Sequence, residues 1–288
     1  MKKILLSFLL WPLLAGAQNS KVFDNLTLKS KILNMDRRYA IYLPPGYEAS
    51  QRSYPVLYLL HGGGDDQTGW VQFGEVQNIT DKAIQEGNAT AMIIVMPDAN
   101  TGRRGYFNDV KGDWRYEDFF FQELMPFIEK TYRTKNEKRY RAIGGLSMGG
   151  GGSFMYALRR PDLFAAACPL SASTGPITLE DARTNLLRNN PQLPDSTIAN
   201  YYKRHSALAL INNIADNAPD SVKKAVRWYI DCGDDDFLFE GNSLVHIAMR
   251  KKQIPHEFRI REGAHNWTYW RQSLPTVLEF VSMSFRQF

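Results

Sequence analysis

Cysteine is scarce in this sequence: two residues, Cys168 and Cys232, among 288. Both lie in apolar, strand-like stretches with no metal-ligand spacing around them, so the sequence offers no structural metal site. Buried thiols are expected, and a bond between the two stays open because sequence cannot place their Cβ atoms. Long apolar runs are also missing. The only candidate, Ile4–Leu14, is interrupted by Pro12 and falls short of the roughly 20 residues a membrane span needs. Fixed-period repeats and low-complexity stretches are absent, which excludes repeat arrays and extended linkers. An excess of one charge is lacking too, the formal net charge being only +5. That mild balance does not imply a nucleic-acid partner. The one basic cluster, KTYRTKNEKRYR at 130–141, reads as a solvated helix end and loop.

What is present is ordinary globular composition: 44% hydrophobic, 12% aromatic and 23% charged residues, enough for a sizeable core. The first 17 residues combine Lys2 and Lys3, the short apolar run and the small residues Ala15-Gly16-Ala17. This is the layout of a secretory signal peptide with cleavage near Ala17. The expectation is an exported protein with no stable membrane anchor, residues 18–288 forming one domain.

Strand-like and helix-like stretches alternate along that domain, which argues for α/β layering around a largely parallel sheet. RRYAIYLPPGY (37–47), YPVLYLLHGGG (54–64), AMIIVMPDAN (91–100), RYRAIGG (139–145), FAAACPLSAS (164–173), AVRWYIDCG (225–233) and HEFRIREG (256–263) read as strands. YEDFFFQELMPFIEKTY (116–132) has helical spacing, and a final helix is expected from about Leu274 to Phe285. The polar, Pro- and Asn-punctuated stretch between Thr174 and Lys224 reads as a helical insertion over the sheet edge, too long for a plain loop.

One glycine-rich segment carries chemistry. Gly145-Leu146-Ser147-Met148-Gly149 is G-x-S-x-G between a strand and a helix. The five-residue pattern alone arises by chance in on the order of one chain in ten, so its context decides. In a strand-turn-helix, the glycines relieve clashes at a turn tight enough to hold a serine hydroxyl exposed above the sheet. Attack by that hydroxyl needs donors for the developing oxyanion. The Met148 N–H would supply one and a glycine of the 61–64 turn the other, Gly63 in the first instance and Gly62 as the alternative.

The serine also needs a histidine, and the histidine an acid, in the chain order Ser, acid, His. Of the five histidines, His61 precedes the serine and reads as structural. His205 falls in the insertion, while His246 and His256 fall in a helix and at a strand start. His265, in a loop after the last strand, is the expected base. Asp234, Asp235, Asp236 and Glu240 share the loop before it, and spacing alone does not choose among them.

Taken together, these segments resemble the esterase D-type branch of α/β hydrolases, a group that includes feruloyl and acetyl-xylan esterases, S-formylglutathione hydrolases and enterochelin esterases. The resemblance covers nearly the whole chain after the leader. It implies an α/β-hydrolase fold and assigns the acid to Asp236, three residues beyond Gly233, with Asp235 as the alternative. It also supports Ser147, His265 and oxyanion donors at Met148 and Gly63. Hydrolysis of hydroxycinnamoyl or acetyl esters on plant polysaccharides is the implied activity, with a small-molecule or oligosaccharide ester as substrate and no cofactor or metal. A siderophore esterase, an S-formylglutathione hydrolase-like thioesterase and a catalytically silent sugar binder are the alternatives. Trp70, Trp114, Tyr116 and Trp267 are candidates to line an aromatic substrate cleft.

Overall fold

The computed structural model describes residues 19–99 and 105–286; the expected leader lies outside them. Eight strands form one sheet: β1 Lys21–Ser30, β2 Met35–Leu43, β3 Val56–Leu60, β4 Ile93–Pro97, β5 Arg141–Leu146, β6 Ala166–Leu170, β7 Arg227–Gly233 and β8 Glu257–Arg261. Their order is β1-β2-β4-β3-β5-β6-β7-β8. The first two strands join antiparallel, and β4 through β8 run parallel. Because β3, β5, β7 and β8 are parallel, the loops that follow them gather along one edge of the sheet, where α/β proteins place their ligands.

The central strands are apolar on both faces because both are covered. Val56, Tyr58 and Leu60 of β3 point into one core with the helices Tyr116–Phe119 and Met148–Arg159, while Leu57 and Leu59 point into the other with Trp267–Phe285. Each fully buried leucine of this kind contributes about 1.5–3 kcal/mol relative to exposure. Edge strand β1 was not apparent in the sequence. It is exposed or half-buried almost throughout, so it lacks the apolar signature of its neighbours.

The helix from Tyr116 passes through a π turn, Phe120–Leu124, before continuing as Met125–Thr131. The Met125 N–H bonds to the Phe120 carbonyl five residues back, in the turn leading to Pro126, which has no N–H to offer. Between β6 and β7 the chain forms four helices, Leu179–Asn189, Asp195–His205, Ala207–Asn212 and Asp220–Lys223. The Ala207 N–H bonds to the Thr174 carbonyl, which ties this helical excursion to the segment after β6. Cys168 and Cys232 are both free and buried, and burial pushes the Cys232 thiol up to about 12. Among the described residues no helix is long and apolar enough to cross a membrane.

Candidate active site

β5 ends at Leu146 and the next helix starts at Met148, so the whole reversal falls on Ser147. Its backbone adopts φ 54° and ψ −115°, a region that costs a non-glycine residue on the order of 1–3 kcal/mol. The surroundings over-determine it. The Ser147 N–H donates to Leu170 of β6, and its carbonyl accepts from Gly151 and Ser173. The glycines are required by close approach. A Cβ on Gly149 would lie 2.5 Å from the Leu60 carbonyl oxygen, and one on Gly145 would lie 2.7 Å from the same atom. Both contacts are with backbone, which cannot give way. The serine motif therefore sits directly on the end of β3.

The loops after β7 and β8 complete the constellation. His265 Nε2 lies 2.9 Å from Ser147 Oγ, and His265 Nδ1 lies 3.0 and 2.9 Å from the two Asp236 carboxylate oxygens. The contact to Asp236 gives Nδ1 the proton and leaves Nε2 as acceptor for the serine hydroxyl. Asp236 is only 1% exposed. Burial alone would raise its carboxyl, but hydrogen bonds from His265, the Leu238 N–H and the Ser171 hydroxyl outweigh it and hold the group below the ordinary carboxylate range. Asp235, the alternative, is exposed, and its N–H bonds to the Gly263 carbonyl. Geometry thus separates two acids that spacing could not.

Ser171 escaped the sequence reading. It is fully buried, sits at φ 43°, and accepts a hydrogen bond from Trp270 Nε1 at 3.0 Å while donating to Asp236. Trp270 in turn packs edge-on against His265, with ring centroids 4.9 Å apart. The only signal available was a polar residue just past the end of a buried parallel strand.

In the 61–64 turn, His61 is structural. One ring nitrogen donates to the Gly62 carbonyl and the other accepts from the Ala99 N–H, tying β3 to the end of β4. Gly62 lies against the serine, its hypothetical Cβ falling 3.4 Å from Ser147 Cβ. Gly63 follows it, exposed and unobstructed. Met148 opens the helix, so its N–H has no intrahelical acceptor. Among the described residues, no group of three or more His, Cys, Asp or Glu side chains could hold a metal ion.

The expected aromatic cleft needs correction. Trp70, Trp114 and Tyr116 are buried, and their polar tips bond to the carbonyls of Leu60, Gly105 and Asp98 respectively. Buried aromatics with polar tips find such partners, and these three buttress the loops from beneath. Trp267 is half-buried in the first turn of the final helix, packed edge-on against Trp70 and Trp270.

A family model described as "Putative esterase" matches residues 30–281. Over 145 residues the chain is 39% identical to an endo-1,4-beta-xylanase/feruloyl esterase of Xylanibacter ruminicola, a match covering 46% of this chain and 19% of that one. It is 23% identical over 274 residues to the S-formylglutathione hydrolase of Mus musculus, covering 87% and 88% of the two chains. A solved structure of a ferulic acid esterase aligns with a TM-score of 0.80 at 37% identity, over 92% of this chain and 99% of that one. The chain spans less than a third of the length of several curated relatives it matches, such as the xylanase/feruloyl esterase and, at 29%, an esterase of Mycobacterium tuberculosis. Because the family model runs from the end of β1 through most of the final helix, and the ferulic acid esterase aligns over nearly its whole length, the chain belongs to this esterase family and carries the α/β-hydrolase fold.

Proposed function

We propose that the chain is a serine carboxylesterase working through an acyl-enzyme, with Ser147, His265 and Asp236 as its catalytic residues. One observation carries the reading: a hydroxyl held at a strained turn stands 2.9 Å from an imidazole whose other nitrogen meets a buried carboxylate. Ser147 Oγ attacks the ester carbonyl as its proton passes to His265 Nε2. Asp236 keeps the ring oriented and stabilises the imidazolium. The Met148 and Gly63 N–H groups face the oxyanion of the tetrahedral intermediate. As the carbonyl re-forms, the carbon–alkoxy bond breaks and His265 returns its proton to the departing alcohol. A water then gives its proton to Nε2 and attacks the acyl carbon, and collapse of that second intermediate releases the acid and restores the Ser147 hydroxyl.

Hydroxycinnamoyl or acetyl esters on polysaccharides such as xylan are the proposed substrates. The names of the relatives at 37–39% identity support the feruloyl ester, whereas an acetyl esterase and the S-formylglutathione hydrolase are more distant in sequence. The leader-like N-terminus supports export. The test is direct: a fluorophosphonate labels the wild type and not Ser147→Ala, and that variant loses about 10⁶-fold in kcat on the best of methyl ferulate, acetylated xylan and S-formylglutathione. A wild type left unlabelled overturns the mechanism, and turnover of the thioester alone overturns the substrate class.

A further inference from the structure

The loop that delivers Asp236 continues into two exposed aromatic side chains. Phe237 is 72% exposed and Phe239 56%, well outside the usual burial of phenylalanine. Phe237 is placed with care nonetheless. Its ring lies 4.5 Å from the His265 imidazole, tilted by 51°. The imidazole thus has a buried aromatic neighbour, Trp270, and an open one, Phe237.

The order of chemical events says which half of an ester passes this ring. His265 must hand its proton to the leaving oxygen through Nε2, so the alcohol departs within hydrogen-bond reach of that nitrogen. A ring packed on the imidazole borders the alcohol half of the substrate.

The two loops also set the charge of that border. Asp234, Asp235 and Glu240 after β7, and Glu262 after β8, are all exposed. The loops are joined by backbone: the Asp235 N–H bonds to the Gly263 carbonyl, and the Gly263 N–H to an Asp234 carboxylate oxygen. Neither loop carries a lysine or arginine, and Arg261 at the end of β8 is held by Asp231 at 2.8 Å. An anionic alcohol is repelled by such a rim. An uncharged polyol is suited to it, with C–H groups for the aromatic face and hydroxyl donors for the carboxylates.

We propose that Phe237 borders a leaving-group subsite for an uncharged polyhydroxy alcohol, a sugar ring packed on the phenyl face, between loops that carry acidic and no basic side chains. This rests on the esterase reading above and adds the alcohol half to it. Two esters of one acid separate the halves: a feruloylated xylo-oligosaccharide and methyl ferulate, each measured with wild type, Phe237→Ala and Phe237→Trp. Wild type prefers the sugar ester. In Phe237→Ala the ratio of kcat/KM, sugar ester over methyl ester, falls at least fivefold, mainly through KM, and Phe237→Trp restores it. A wild type without preference overturns the subsite. So does Phe237→Ala slowing both esters alike, which would make Phe237 a prop for His265. A wild type that takes neither ester and resists fluorophosphonate overturns the esterase reading instead.

Discussion

Two aspartates five residues apart, both buried, serve the molecule in opposite ways. Asp231 is still inside β7 and fully buried. Its carboxylate accepts from the hydroxyls of Tyr229 and Tyr269 and from Arg261. These partners come from β7, the final helix and β8, so one charge joins the last two strands to the final helix. Asp236 lies beyond the strand and takes a backbone N–H, a serine hydroxyl and an imidazole. A buried carboxylate needs partners wherever it sits. What differs is the kind of partner and what that partner touches in turn. Around Asp231 the tyrosines and the arginine make a joint, whereas the histidine at Asp236 reaches on to the Ser147 hydroxyl.

The contrast breaks most visibly in paired substitutions. Asp236→Asn is expected to lower kcat by about 10⁴-fold with the melting temperature nearly intact, since a wrongly oriented tautomer stops the chemistry and not the fold. Asp231→Asn is expected to do the reverse, losing about 1–3 kcal/mol of stability on denaturant unfolding because two tyrosine hydroxyls and Arg261 lose their charged acceptor, while kcat per folded molecule holds. Equal kcat losses in the two variants would erase the distinction.

A histidine buried without an acid sharpens it. His205 donates from Nδ1 to the Tyr201 carbonyl. Burial, aided by the Arg159 charge, pulls its pKa down to about 4. Folded His205 therefore stays neutral while the unfolded chain takes up a proton below about pH 6.5. Stability from this residue is complete above that pH and drains away as pH falls toward about 4, by up to about 3 kcal/mol. In His205→Phe the slope of unfolding free energy against pH over that window should flatten relative to wild type. An unchanged slope would show that His205 is charged in the fold.

The smallest expected effect tests the support behind Asp236. Ser171→Ala removes one charge-assisted hydrogen bond to Asp236, worth about 1.5 kcal/mol, so kcat should fall roughly tenfold. The lower limb of the pH–rate profile should also move as Asp236 loses a bond to its ionised form. A Ser171→Ala enzyme with a wild-type profile would reduce Ser171 to packing.

The serine and histidine were legible because their signals are local and ordered: glycines flanking one serine between strand and helix, then a lone histidine after the last strand. The acid was legible only through the resemblance, which points to Asp236, because by spacing Asp234, Asp235 and Asp236 differ only in which one the loop folds inward. The start of the final helix was misplaced as well. It begins at Trp267, capped by the Asn266 side chain on the Tyr269 N–H, although a polar residue ahead of an aromatic run was a cap signal. Three of the four cleft candidates, Trp70, Trp114 and Tyr116, failed for a related reason. Residue type says that a tryptophan carries apolar area, but not toward which side of a loop it turns.

By itself the sequence determined the alternation of apolar strands and helices, the sharp turn at Ser147 and the order in which Ser147, the acidic loop and His265 arrive. Those features rest on backbone sterics and on periodicity, which act over a few neighbouring residues. Only the tertiary structure decided that Asp236 faces the imidazole, that Ser171 and Trp270 stand behind it and that Phe237 stays in the open. Each depends on which strand lies beside which, and so on contacts between residues up to 118 positions apart.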